Sequence, residues 1–127
     1  MLNENEHCYT EVYAWGSNTF GQLGISMQGV GKSYPRPKFC SFNIIIKEIS
    51  CGNEHTAIIT STHLLNILDE GFLYTMGSNV NGRLGVNSPL LNYSAVPRLV
   101  EGLTNYVINK VSCGWTHTAA ITSNKES

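Results

Sequence analysis

The sequence predicts an all-β chain holding about two four-stranded blades of a partial β-propeller, and three observations carry that reading. The first is an internal repeat. Residues 12–25, VYAWGSNTFGQLGI, return as LYTMGSNVNGRLGV at 73–86, and residues 49–60, ISCGNEHTAIIT, return as VSCGWTHTAAIT at 111–122. Of these 26 paired positions 15 are identical, at offsets of 61 and 62. The second is composition: charged residues make up 13% of the 127, glycine occurs 12 times, and polarity comes from Ser, Thr and Asn. That mixture suits short strands and tight turns. The third is that each copy breaks into about four short β-prone runs, the strand content of one blade.

The elements follow in order. Residues 1–11 form a polar, acidic tail, and the two repeats span about 12–60 and 73–122 with an insertion at 61–72 and a tail at 123–127. Val12 to Trp15 and Leu73 to Met76 are short strands, each stopped by Gly-Ser-Asn, a turn signal. Gly16, Asn18, Gly21 and Gly24, matched by Gly77, Asn79, Gly82 and Gly85, then build a compact loop. Pro37 and Pro97 fit the start of an outer edge strand, where a missing N–H does little harm. Ile44 to Cys51 and Tyr106 to Cys113 read as fully buried strands. Each leads through a tight turn at Gly52 or Gly114 into His55–Thr60 or His117–Thr122.

Charge and length exclude several classes. The formal net charge is −1 and the basic residues are scattered, so nucleic-acid binding is not expected. No apolar run reaches membrane-span length, and the opening MLNENEHCYTE is neither a signal nor a transit peptide. Cys8, Cys40, Cys51 and Cys113 show no close-pair spacing, so the thiols are expected to stay reduced in an intracellular protein, cytoplasmic or nuclear. Asn92-Tyr93-Ser94 matches a glycosylation acceptor, which without an export signal reads as coincidence.

Cys51, Glu54 and His55 place a thiol, an acid and a base within five positions, a constellation that suits nucleophilic chemistry or a metal. Its copy answers the question. Cys113 and His117 recur, but Thr116 replaces Glu54 and Trp115 replaces Asn53. A catalytic set has no reason to be duplicated with its acid dropped, whereas a repeat must solve one packing problem each time. The spacing C-x-x-x-H is weak as a zinc signature, although four ligands from two repeats would close such a site. The favoured reading is structural: Cys as a small apolar residue and neutral His bridging neighbouring strands. No cofactor and no metal are expected. If the imidazoles are buried and hydrogen-bonded, His55→Ala and His117→Ala should each cost about 1–3 kcal/mol.

The pattern YxxGSNxxGxLG followed by SCGxxHTxxIT resembles the repeat of the RCC1 (regulator of chromosome condensation 1) family, over about residues 12–122. The resemblance implies a propeller of four-stranded blades, usually seven, with the Cys-Gly and His-Thr positions as structural repeat residues. Two departures stand out. The chain carries two repeats, in the order outer half-blade, whole blade, inner half-blade, which suggests a piece of a longer array. The segment STHLLNILDEGF at 61–72 is longer than the family's usual turn, and Leu64, Leu65, Ile67 and Leu68 make it apolar enough for a partner surface, or for a local cover on the blade.

Other motifs weigh less. SMQGVGKS at 26–33 lacks the first glycine of a phosphate loop, and the following Tyr-Pro-Arg-Pro cannot open the helix that would hold phosphates. Trp115 in GWTHT looks like the GWRHT motif of plant ultraviolet-B receptors of this family, but it stands alone and Thr116 replaces the arginine. Lys32, Arg36 and Lys38, interleaved with Tyr34 and Phe39, form the densest basic group, which reads as a solvated face before a docking site. Asp69 and Glu70 are adjacent and cannot flank a substrate.

The expectation is therefore a non-enzymatic interaction module, part of a larger propeller, with protein partners and a tendency to self-associate. The alternative is a fragment of a guanine-nucleotide exchange factor for a Ran-like small GTPase, the founding member's activity, which needs surface from several blades.

Overall fold

The computed structural model describes residues 10–40, 42, 44–61, 71–88 and 90–124. Among the described residues there are eight strands: β1 Val12–Ser17, β2 Ser33–Cys40, β3 Ile45–Cys51, β4 His55–Ser61, β5 Phe72–Ser78, β6 Tyr93–Leu99, β7 Tyr106–Cys113 and β8 Thr118–Asn124. Three short 3-10 turns, Met27–Gly29, Val80–Gly82 and Glu101–Leu103, lie between them. The strands form a two-stranded sheet β1-β2, a four-stranded sheet β3-β4-β5-β6 and a two-stranded sheet β7-β8, with every pairing antiparallel. The structure is thus one whole blade between an outer and an inner half-blade. The sequence repeat and the blade are out of phase: β3 and β4 come from the first repeat, β5 and β6 from the second.

Burial follows position in these sheets. Strand β4 is the continuously buried one, His55 to Thr60, because β3 and β5 flank it and β7 packs against it. Of the apolar runs expected to be fully buried, Ile44 to Cys51 holds only half-buried and exposed positions, and in Tyr106 to Cys113 only Ile108 and Val111 are buried. Each is the edge strand of its sheet, with one paired edge and one face covered. The core sits between the whole blade and the inner half-blade. Ala57, Ile59, Leu73, Val100, Ile108 and Val111 meet there. Burying one side chain of the size of Ile59 contributes about 1.5–3 kcal/mol.

The repeat extends to irregularities. The β1–β2 register shifts between Ala14 and Gly16 and the β5–β6 register between Thr75 and Gly77, and the strands run on through Gly16-Ser17 and Gly77-Ser78 where the sequence suggested a stop. Pro37 and Pro97 lie inside β2 and β6, within these bulged stretches, and not at the strand starts. Both are edge strands, so the expected tolerance for a missing donor holds by a different route: a bulge leaves the residue unpaired. Matching bulges occur in the β3–β4 pair between Ile46 and Glu48 and in the β7–β8 pair between Ile108 and Lys110.

The insertion falls in the β4–β5 connection, within the whole blade. Its Leu64, Leu65, Ile67 and Leu68 lie outside the described residues, as do Cys8, Asp69 and Glu70. Among the described residues, no helix is long and apolar enough to cross a membrane.

Candidate functional site

The repeat residues gather at two kinds of place: the loops after β1 and β5, and the β3–β4 and β7–β8 turns. In the loops, asparagine is the clamp. The Asn18 side chain, fully buried, donates to Gly29 O at 2.8 Å and accepts from Leu23 N–H at 2.9 Å. Asn79 does the same with Leu91 O at 2.9 Å and Leu84 N–H at 3.1 Å. Gly21 and Gly24, like Gly82 and Gly85, turn the chain inside these loops. Gly77, at φ 108°, lies hard against the backbone of Glu54 and His55, where a Cβ has no room. Gly16 shares the φ, at 106°, but has open space around it.

At the β3–β4 turn, Gly52 N–H donates to His55 O at 2.7 Å, and the imidazole of His55 folds over Gly52. Gly114 and His117 repeat the arrangement at the β7–β8 turn, with the N–H to carbonyl bond at 2.8 Å. The histidine of C-G-x-x-H therefore requires the glycine: a side chain at either glycine would collide with the ring.

The two histidines then diverge. His55 is 1% exposed, and its Nε2 lies 2.8 Å from the Thr118 hydroxyl on β8. That hydroxyl donates its one proton to Arg83 O at 2.7 Å, so His55 Nε2 must be the donor and Nδ1 the bare lone pair. Nδ1 is buried without a hydrogen-bond partner. Burial, then the positive charge of Arg83, pushes the His55 pKa below its ordinary value, only partly countered by the nearby His117 backbone. His117 is exposed. The condition attached to the expected stability loss, a buried and hydrogen-bonded ring, is met at His55 and not at His117.

Of the cysteines, Cys113 is drawn into a contact between sheets. Cys113 N–H donates to Ser50 Oγ at 3.0 Å and its thiol to Ser50 O at 3.4 Å. Burial raises the Cys113 pKa, the reverse of what a nucleophile needs. Cys40 is buried and shifted the same way, while Cys51 is exposed. Glu54 approaches Arg83 Nη1 at 3.9 Å, and that nitrogen lies 3.4 Å from Trp115 O. Among the described residues, no cluster of three His, Cys, Asp or Glu side chains stands where a metal could be held. Thr56 and Thr118 were named in the sequence only as members of the His-Thr pairs, and Ser50 and Arg83 were not singled out. The signal for Ser50 was present, since Ser-Cys-Gly is identical in both copies.

Of the lesser motifs, 26–33 forms the turn Met27–Gly29 and the start of β2, with no helix behind it. Phe39 packs against Tyr13 with ring centroids 5.5 Å apart, and Arg36 and Lys38 project from β2 into solvent. Trp115 is exposed at the turn before β8.

Antiparallel sheets of at most four strands, joined face to face by conserved turn contacts within the chain's own repeat, define a part of a β-propeller. The family model of the Regulator of chromosome condensation (RCC1) repeat matches residues 11–59 and 70–121, and the chain belongs to that family. It is 36% identical over 122 residues to the serine/threonine-protein kinase Nek9 of Xenopus laevis, covering 91% of this chain and 12% of the relative. It is 32% identical over 117 residues to the X-linked retinitis pigmentosa GTPase regulator of Homo sapiens, covering 92% and 10%. To the secretion-regulating guanine nucleotide exchange factor of Bos taurus it is 32% identical over 114 residues, covering 89% and 22%. In fold it is similar to a chain of the crystal structure of Kap60 bound to yeast RCC1 (Prp20), with TM-score 0.70, 21% identity and coverage of 87% of this chain and 26% of that one. Human WBSCR16 gives TM-score 0.69 at 21% identity, covering 90% and 32%. The chain spans between about a tenth and a fifth of the curated relatives it matches.

Proposed function

We propose that this chain is a non-enzymatic protein-interaction module that works as part of a larger RCC1-type propeller. One observation carries the reading: the two reactive side chains of the repeat that are shielded at the blade junction, His55 and Cys113, are committed to joining one sheet to the next. His55 is held by Thr118 and Cys113 by Ser50. The repeat residues are on this account structural, with no catalytic, cofactor or metal role. Binding then falls to loops and exposed faces carried on the rigid blade. The insertion residues Leu64, Leu65, Ile67 and Leu68 are one proposed partner surface, and an intracellular setting, cytoplasmic or nuclear, fits the free thiols Cys40, Cys51 and Cys113.

A second reading is favoured by one resemblance, that to the secretion-regulating guanine nucleotide exchange factor. On it the chain is a fragment of an exchange factor for a Ran-like small GTPase. The two readings part in a nucleotide-exchange assay with a fluorescent-GDP-loaded Ran-like GTPase. The module reading expects no acceleration over the intrinsic rate, and release accelerated in proportion to added chain would replace it with the second. Replacing Leu64, Leu65, Ile67 and Leu68 with Ser should leave the circular dichroism unchanged and weaken capture of a partner. Loss of the β signal would instead assign those residues to a cover on the blade.

A further inference from the structure

The sequence holds a single Ser-Pro or Thr-Pro dipeptide, Ser88-Pro89, and it falls in the loop between β5 and β6. Ser88 opens a turn there. Its carbonyl accepts from Leu91 N–H at 2.9 Å, and its own N–H donates to Val86 O at 2.9 Å. The Ser88 hydroxyl lies beside a cation. Arg98 Nη2, on β6, is 3.3 Å from Ser88 Oγ, a long bond between a charged donor and a neutral acceptor. Among the described residues Arg98 pairs with no carboxylate.

The repeat shows that the fold does not require this pair. By repeat position Ser88 corresponds to Met27, and Arg98, one residue beyond the matched prolines, corresponds to Lys38. The first copy therefore builds the same kind of loop and edge strand without either group. Nor does the pair join one sheet to the next, as His55 and Cys113 do, because the loop and β6 belong to one blade. Its surroundings are complete within the described residues. Met27, Leu90, Tyr93 and Val96 wall a groove of about 410 Å³ along β6, the edge strand of the whole blade, and Arg98 is the one charged side chain that lines it.

We propose that Ser88 is a phosphorylation site for a proline-directed protein kinase, and that Arg98 holds the phosphoryl group once it is in place. In the transfer, Ser88 Oγ attacks the γ-phosphorus of ATP. The Oγ–P bond forms as the bond to the ADP oxygen breaks, and the hydroxyl proton passes to the base of the kinase. The product carries about −1.5 to −2 charge and three strong acceptor oxygens. The guanidinium that met a neutral oxygen at 3.3 Å then meets an anion, and its planar fork suits two parallel bonds. Loop and edge strand are clasped together, and the groove beside them changes from cationic to anionic. The modification alters the outer edge of the blade and leaves the junctions between blades as they are.

The test incubates the native chain with ATP and a mitogen-activated protein kinase, beside a synthetic peptide of residues 84–94, and maps the product by peptide mass. The native chain should take up one phosphoryl group, on Ser88, and Ser88→Ala should take up none. A peptide modified while the native chain is not would mean that the fold hides the hydroxyl, and would overturn the site. A peptide that is itself refused would overturn it as well. Phosphorus NMR titration of the modified chain reads the clasp. The phosphoserine should ionise below its ordinary second pKa of about 6, Arg98→Gln should return it there, and Arg98→Lys should keep part of the shift. Circular dichroism checks that both variants keep their strands. A titration unchanged in Arg98→Gln would overturn the role of Arg98. Neither result bears on the module reading, which the nucleotide-exchange assay tests separately.

Discussion

His55 Nε2 lies 2.8 Å from the hydroxyl of Thr118, a residue 63 positions away, and this bond fastens the whole blade to the inner half-blade. It joins a fully buried ring on β4 to a strand that carries the second copy of the same motif. The identical His-Thr dipeptides therefore play two parts at this junction: the histidine of one blade gives, the threonine of the next receives.

That division predicts unequal costs for the same substitution. His55→Ala removes a buried hydrogen bond and leaves the Thr118 hydroxyl without its donor, which should cost about 1–3 kcal/mol. His117→Ala alters an exposed ring and should stay within about 0.5 kcal/mol in the dilute chain. Urea midpoints at unchanged slope read the difference. Equal losses at both positions would mean that the two turns are equally packed.

Stability should also fall in mild acid. The His55 pKa is lowered in the folded chain by burial and by Arg83, with His117 adding a smaller push in the same direction. The unfolded chain therefore binds the proton first. The His55 contribution is fully present above the unfolded value of about 6.5 and is lost as the pH falls through the folded value. The urea midpoint should be level from pH 8 to about 7 and drop below about 6.5, and His55→Gln should flatten that drop. A His55→Gln variant with the wild-type slope would place the acid sensitivity elsewhere.

Thiol reactivity should rank the cysteines by place in the blades. Cys51 is exposed, whereas Cys113 and Cys40 are shielded and their thiols held protonated by burial. Brief alkylation of dilute native protein, mapped by peptide mass, should therefore mark Cys51 well before Cys113 and Cys40. Labelling of Cys40 as fast as Cys51 would contradict the packing of β2 against Leu23 O, which the Cys40 thiol reaches at 3.4 Å.

Much of this architecture was legible in the sequence because a repeat carries its own control. The loss of Glu54 in the second copy is an argument against chemistry, and the Gly-Ser-Asn turns located β1 and β5 to within two residues. What the sequence could not show was neighbour count. Ile44-Ile45-Ile46 looks as apolar as Ile58-Ile59, yet one run lies on an edge strand and the other between two partners. The bulges that hold Pro37 and Pro97 were equally hidden, since a register shift depends on the opposing strand. The part played by Thr118 needed coordinates, because a hydroxyl that both receives and gives is defined only by what stands on either side.

Amide hydrogen exchange along β4 and β8 tests the central claim, that two near-identical repeat blocks differ only in the blades packed around them. In dilute protein the β4 amides of His55–Ser61 should exchange slowly, and those of Thr118–Asn124 that face the open edge of β8 should exchange quickly. Equal protection of β4 and β8 would contradict the account.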